Sequence, residues 1–132
     1  SGGTTSQIVA RELGVEVKSS TEIYDKEVPP IAYIQGVDLV TEGVLTLSKT
    51  IDRLKSLSKS LDSDIFKAKD GASQMAKLLY SASHIKLLVG RSLNIANAES
   101  SFQRDLELRL HVVGELEKIL VKLGKIVTVE YY

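Results

Sequence analysis

The chain has 132 residues, the size of a single domain, and 43% of them are hydrophobic while 26% are charged. This composition is that of a globular domain and excludes a wholly disordered chain. Seventeen Lys and Arg balance seventeen Asp and Glu, which excludes the large basic excess that nucleic-acid binders use for phosphate contacts. The sequence has no Cys, so it excludes a disulfide framework and indicates an intracellular, cytoplasmic protein.

The N-terminal part differs in pattern from the rest of the chain. We expect residues 1–3, Ser-Gly-Gly, to be the remnant of an expression tag. Residues 4–30 are predicted to form a short helix and an extended strap. The helix covers Ile8–Leu13 and ends at Gly14, where a positive φ is favoured. The alternating residues after Gly14 are typical of extended chain.

Residues 31–132 are predicted to form a helical bundle. Apolar residues recur every three or four positions, which is the spacing of an amphipathic helix. The pattern predicts helix A at 31–61, helix B at 63–95 and helix C at 101–127. Three helices of similar length with short connections pack antiparallel. The expected fold is therefore all-α, an up-down-up bundle of three long antiparallel helices preceded by the short helix and strap.

Predicted helix B is apolar nearly all round in its second half. A helix that contacts only two neighbours needs an apolar arc and not a full circle. Tyr80, Leu87 and Leu88 lie outside the stripe that would face helices A and C. We expect residues 4–28 to cover these three side chains as a displaceable strap, or else a partner helix to cover them.

His84 raises the possibility of phosphoryl transfer. Histidine phosphotransfer domains are helical bundles of about this size, with a Lys three residues and a Gly four residues after the exposed His. Here Lys86 follows His84 by two residues and Gly90 follows it by six. A histidine-phosphotransfer-like signalling bundle is therefore kept only as an alternative.

No other arrangement indicates an enzyme. A metal site on a helix needs ligands three or four residues apart, and only Glu107 and Glu115 flank a histidine, His111, at this spacing. Rows of polar residues like this one are common on solvated helix faces. The serines lack a glycine-rich elbow or an ordered acid–base partner, and no phosphate-binding glycine motif is present. We expect no catalytic residues, no metal and no cofactor.

Basic residues are predicted to collect at one pole of the bundle, where the A–B turn would meet the end of helix C. This basic patch would attract an acidic peptide or partner domain. Its members are Arg53, Lys55, Lys59, Lys67, Lys69, Lys118, Lys122 and Lys125.

The sequence predicts a non-enzymatic protein-interaction or assembly module. Its partner would be an amphipathic helix or an acidic peptide of another protein, bound on the bundle surface. Homo-oligomerisation is the second alternative, with a copy of the chain as partner. No apolar run is long enough to span a membrane, and nucleic acid is not expected as a partner. The predicted partner-binding residues are Tyr80, Lys86, Leu87, Leu88 and Arg91.

Overall fold

A computed structural model describes residues 2–20, 22–60, 63–91 and 99–132. The chain divides into two compact units, Ser1–Leu78 and Leu79–Tyr132. In chain order the elements are α1 (Gly3–Leu13), β1 (Lys18–Ser19), β2 (Ala32–Tyr33), α2 (Val44–Lys59), α3 (Ser63–Lys67), α4 (Gly71–Ser81), β3 (His84–Val89), α5 (Glu99–Lys122) and β4 (Ile126–Tyr131).

The first unit begins with the predicted short helix, which is present within α1. Gly14 ends α1 with φ 68°, the left-handed conformation that favours glycine. Beyond it, β1 pairs antiparallel with β2. A small core forms where buried Ala10 of α1 meets Ile34 and Val40, with Val15 and Val17 packed against them.

The prediction of helix A at 31–61 is wrong in its first half. Helical structure begins only at Val44. Before it, the backbone N–H of Ala32 donates to the carbonyl of Val40 at 2.9 Å, which folds the segment back on itself. Gly36 allows this turn with φ 89°. The spacing of apolar residues that indicated a helix here reflects burial of non-helical chain.

Helix α4 starts at a defined boundary. The carboxylate of Asp70 accepts a hydrogen bond from the backbone N–H of Ser73 at 2.9 Å, which is N-terminal capping. Gly71 lies so close to its neighbours that an added Cβ would be 3.0 Å from Cγ2 of Ile31 and 3.2 Å from Cγ2 of Thr41. Capping and close approach together fix the start of α4.

The prediction of one helix B at 63–95 is also wrong. The region is divided into α3, α4 and the strand β3. The nearly continuous apolar stretch belongs to β3, and such runs are typical of strands in parallel sheets. A short apolar run does not distinguish a strand from a buried helix. Predicted helix B beyond residue 91 lies outside the described residues.

In the second unit, β3, α5 and β4 follow one another as a strand–helix–strand motif. The two strands are parallel, which requires a crossover of this kind. Their register pairs His84 with Ile126, Lys86 with Thr128, and Leu88 with Glu130. The buried residues of α5 are Val112, Val113, Leu116, Ile119 and Leu120.

Helix C was predicted to run to residue 127 but ends at Lys122. Gly124 takes φ 83°, and the chain then continues as β4. The all-α bundle of three long helices is therefore wrong, because each of its three helices contains residues that pair as strands. These residues belong to β2 in helix A, to β3 in helix B and to the start of β4 in helix C.

Candidate functional site

The two faces of the β3–β4 sheet differ in exposure. Ile85 and Val89 are buried, and their neighbours on β4, Val127 and Val129, are half-buried. Successive side chains of a strand point to opposite faces. One face of the sheet is therefore covered, and the intervening residues form the other face.

We call this second face the open face. Two of its apolar side chains are largely exposed, Leu88 at 63% and Ile126 at 60%. Lys86 lies between them and forms an ion pair of 2.9 Å with Glu130, which is opposite Leu88 on the neighbouring strand. The open face thus carries an apolar side chain at each end and a charged pair that extends from its middle to the Leu88 end. Its members are His84, Lys86, Leu88, Ile126, Thr128 and Glu130.

Glu130 is held on both of its oxygens. The hydroxyl of Tyr132 donates to Oε2 at 2.6 Å, and the ammonium of Lys86 lies at 2.9 Å from Oε1. These hydrogen bonds, from Tyr132 first and Lys86 second, lower the pKa of Glu130 below its usual value. The carboxylate is therefore charged and fixed in position at neutral pH.

The structure brings together only part of the predicted partner-binding set. Lys86 and Leu88 lie on the open face, whereas the side chain of Leu87 belongs to the opposite face. Tyr80 precedes the sheet, and its carbonyl accepts a hydrogen bond from Lys125. Arg91 follows β3, with its guanidinium 6.0 Å from the ring centre of Tyr131.

Three residues of the open face were missed in the sequence. Ile126, Thr128 and Glu130 lie in β4. Predicted helix C ended at residue 127, so it included only the first two residues of this strand, and no element was predicted beyond it. The signal was the segment Ile126-Val127-Thr128-Val129-Glu130-Tyr131, which is rich in β-branched residues and lacks glycine and proline. Such composition is typical of a strand.

The predicted strap residues have other surroundings in the first unit. Val15 and Val17 pack against Ala10, Ile34 and Val40. Ile8 and Ile23 are exposed. A continuous helical stripe of Tyr80, Leu87 and Leu88, which the strap was to cover, does not exist because the last two belong to β3.

The basic patch was predicted from the geometry of a bundle that the chain does not form. Arg53, Lys55, Lys59, Lys67 and Lys69 belong to the first unit, and Lys118, Lys122 and Lys125 to the second. Three of these cations have local partners, one of them Lys118, which lies 3.4 Å from the carboxylate of Glu115. Arg53 joins an ion-pair cluster, and Lys125 binds the carbonyl of Tyr80.

That cluster lines a polar cleft of about 600 Å³ in the first unit. Arg53 lies 3.0 Å from the carboxylate of Asp25 and 3.4 Å from that of buried Asp70. Its Nε also donates to Oγ of Ser73 at 2.7 Å. These bonds connect α2 to the loop between β1 and β2 and to the start of α4, so the cluster has a structural role and its guanidinium is already engaged.

Neither histidine belongs to a metal-binding group of His, Asp and Glu within the part of the chain that the structure describes. His84 is the exposed first residue of β3 and not part of a helix, which removes the geometric basis of the phosphotransfer alternative. Among the described residues, no three His, Asp or Glu side chains converge in a way that would hold a metal. A search of the same residues finds no helix with the length and hydropathy required to cross a membrane.

Comparisons with protein-family models, with curated proteins and with solved structures find no match to this chain.

Proposed function

We propose that the chain is a non-enzymatic protein-interaction module that binds an amphipathic helix of a partner protein on the open face. One observation carries the proposal: the open face of a parallel two-stranded sheet exposes Leu88 and Ile126 at 63% and 60%. Parallel sheets occur almost only with both faces covered. A partner helix supplies the second cover.

The layout of the open face favours a helix as the partner. Leu88 lies four residues beyond His84, which pairs with Ile126, so the two apolar ends are about 14 Å apart. A helix rises about 1.5 Å per residue, so apolar residues at i and about i+7 to i+11 reach both ends. Polar residues between them would face Lys86 and Thr128.

An acidic peptide is a weaker choice than an amphipathic helix. The cation of the open face, Lys86, is already paired with Glu130. The balanced charge of the chain also argues against nucleic acid. As part of the proposal, the module works inside the cell, in keeping with the absence of Cys from its sequence.

Site-specific photo-cross-linking tests the proposal. A benzoylphenylalanine is placed at position 88, and at position 108 as a control. Leu108 is a 50% exposed leucine of α5 in the same unit. In native lysate, position 88 should cross-link one protein through a segment with the apolar spacing given above, and position 108 should not.

The cross-linked segment, made as a peptide, then provides a quantitative test. Leu88→Asp should raise its dissociation constant at least about tenfold, because a charge replaces a central apolar contact. Leu108→Asp should leave the constant unchanged. The proposal is contradicted if position 88 yields no partner or only a second copy of the chain. It is equally contradicted if both substitutions have the same effect.

A further inference from the structure

The outer edge of β4 carries backbone groups that are not paired within the described residues. The N–H of Ile126 donates to the carbonyl of Ser83, and the N–H of Tyr132 donates to that of Val89. Alternate residues of a strand direct their backbone groups to opposite sides. Val127, Val129 and Tyr131 therefore direct theirs away from β3.

Among the described residues, this edge lacks the features that prevent an edge strand from pairing with a strand of another chain. Protected edges carry Lys, Pro or a bulge, or are covered. Residues 126–132 contain no Lys, Pro or Gly, and their one charge, Glu130, is held by Lys86 and Tyr132. The outer edge of β3 differs, because it contains Lys86, and Arg109 donates to the carbonyl of Gly90 at 3.0 Å.

We infer that β4 pairs antiparallel with β4 of a second copy of this chain across a two-fold axis at Val129. The pairing joins two two-stranded sheets into one of four strands. A two-fold interface uses the same surface on both subunits, so the strand must be complementary to itself. This inference is independent of the proposed helix binding, because it uses the edge of the sheet and not the side chain of Leu88.

Charge and strand register favour Val129 as the position of the two-fold axis. With Val129 opposite itself, Val127 lies opposite Tyr131 of the second copy, and all three outward residues form hydrogen-bonded pairs. Aromatic and β-branched side chains are a favourable cross-strand pair. Thr128 then lies opposite Glu130 of the second copy, where a hydroxyl donor meets a carboxylate.

The neighbouring registers are less favourable. A centre at Glu130 places two carboxylates directly opposite each other, which is destabilising. A centre at Thr128 places Tyr131 opposite Lys125, which precedes β4, and so loses paired length. With the axis at Val129, Ile126 of one copy also lies opposite Tyr132 of the other copy. These two side chains are 60% and 66% exposed in the single chain.

A charge swap at Thr128 tests the pairing. In the dimer, Thr128→Glu places a carboxylate opposite Glu130 of the second copy, twice by symmetry, and should raise the dimer dissociation constant about three- to tenfold. Thr128→Lys should lower it by a similar factor. Within one protomer, position 128 is paired with Lys86, so Thr128→Glu should favour folding and Thr128→Lys should oppose it. The effects on folding are thus opposite to those expected for the dimer, and weakened folding cannot imitate the expected change in the dissociation constant.

Sedimentation equilibrium of the full chain, from micromolar to near-millimolar concentration, gives the dissociation constants. Leu108→Asp, at an exposed position of α5, is the control and should leave the dimer unchanged. A chain that stays monomeric throughout overturns the inference, as does a dimer that responds to neither substitution at Thr128.

A cross-link tests the register directly, because the chain contains no cysteine. Val129→Cys should form a disulfide-linked dimer on mild oxidation, since paired Cα atoms are about 5.5 Å apart in this arrangement. Leu88→Cys should not form one. Equal cross-linking at both positions, or none at position 129, contradicts the two-fold axis at Val129.

Discussion

Arg53 is the side chain that connects the start of α4 to the loop between β1 and β2. It binds Asp25, Asp70 and the hydroxyl of Ser73, and Asp70 in turn caps α4. The guanidinium offers several donors in a fixed plane, which suits it to three acceptors on two segments.

Replacing Arg53 by Ala should destabilise the first unit by about 1–3 kcal/mol, because it leaves the buried carboxylate of Asp70 without its cation. Urea unfolding gives the free energy. Lys55→Ala, an exposed change on the same helix, should alter stability by less than about 0.5 kcal/mol. Equal effects of the two changes would show that the cluster does not hold the segments together.

Glu130 gives a prediction of pH dependence. Its lowered pKa means that its charged form is stabilised in the fold. The contribution is complete above the unfolded-state pKa and is lost as the pH falls through the lower folded-state pKa. In an NMR titration of the side-chain carboxyl, the midpoint should lie below the ordinary Glu value of 4.5.

Tyr132→Phe removes the larger of the two causes and should move that midpoint upward. Lys86→Met should move it upward by a smaller amount. A midpoint that neither substitution changes would mean that the hydrogen bonds to Glu130 do not persist in solution.

At the scale of elements, α5 ends at a turn that favours glycine. Gly124 has φ 83°, and the N–H of Lys125 donates to the carbonyl of Leu120 at 3.0 Å. After this turn the chain leaves the helix and continues as β4. The α5–β4 junction therefore depends on one backbone conformation.

Substitution by alanine should change the stability of the fold in opposite directions at two glycines of this region. Gly124→Ala should cost about 1 kcal/mol or more, because alanine is strained at positive φ. Gly114→Ala should add about 0.5–1 kcal/mol, because Gly114 lies within α5 and its new Cβ would meet no atom within 4 Å. Thermal unfolding of both variants checks the signs, and destabilisation by Gly114→Ala would contradict the position of α5.

Adjacent residues of α5 test which of its faces is buried. Leu120 is fully buried while Val121 is 56% exposed. Leu120→Ala should cost about 2–5 kcal/mol, and Val121→Ala should cost less than about 1 kcal/mol. Similar values in urea unfolding would indicate a rotated helix.

The sequence predicted the elements whose signals are local. The short first helix and its end at Gly14 depend on neighbouring residues, and the core of α5 follows from helical spacing. The strands were missed because the pairing of β3 with β4 joins residues about forty positions apart, as His84 with Ile126. The periodicity of apolar residues within one segment of sequence does not indicate which distant segment it pairs with. Leu88 belongs both to the predicted partner-binding set and to the open face, because this part of the sequence has more apolar side chains than a helix with two neighbours would bury. Its role in binding stays a prediction.

At the scale of the whole molecule, the two units have different characters. The first unit is held by a polar cluster around Arg53 and by small apolar cores. The second is a strand–helix–strand motif with an exposed face and an unpaired strand edge among its described residues. The proposed functions, helix binding on the open face and self-pairing at the edge of β4, both belong to the second unit.

Residue-resolved NMR is the most direct test of the binding of a partner helix to the open face. Amide signals of the full chain are followed while the cross-linked partner peptide is added. The largest shift changes should fall on residues 84–88 and 126–130, and Leu88→Asp should reduce them at the same peptide concentration. Changes concentrated in residues 2–60, with β3 and β4 unaffected, would contradict it.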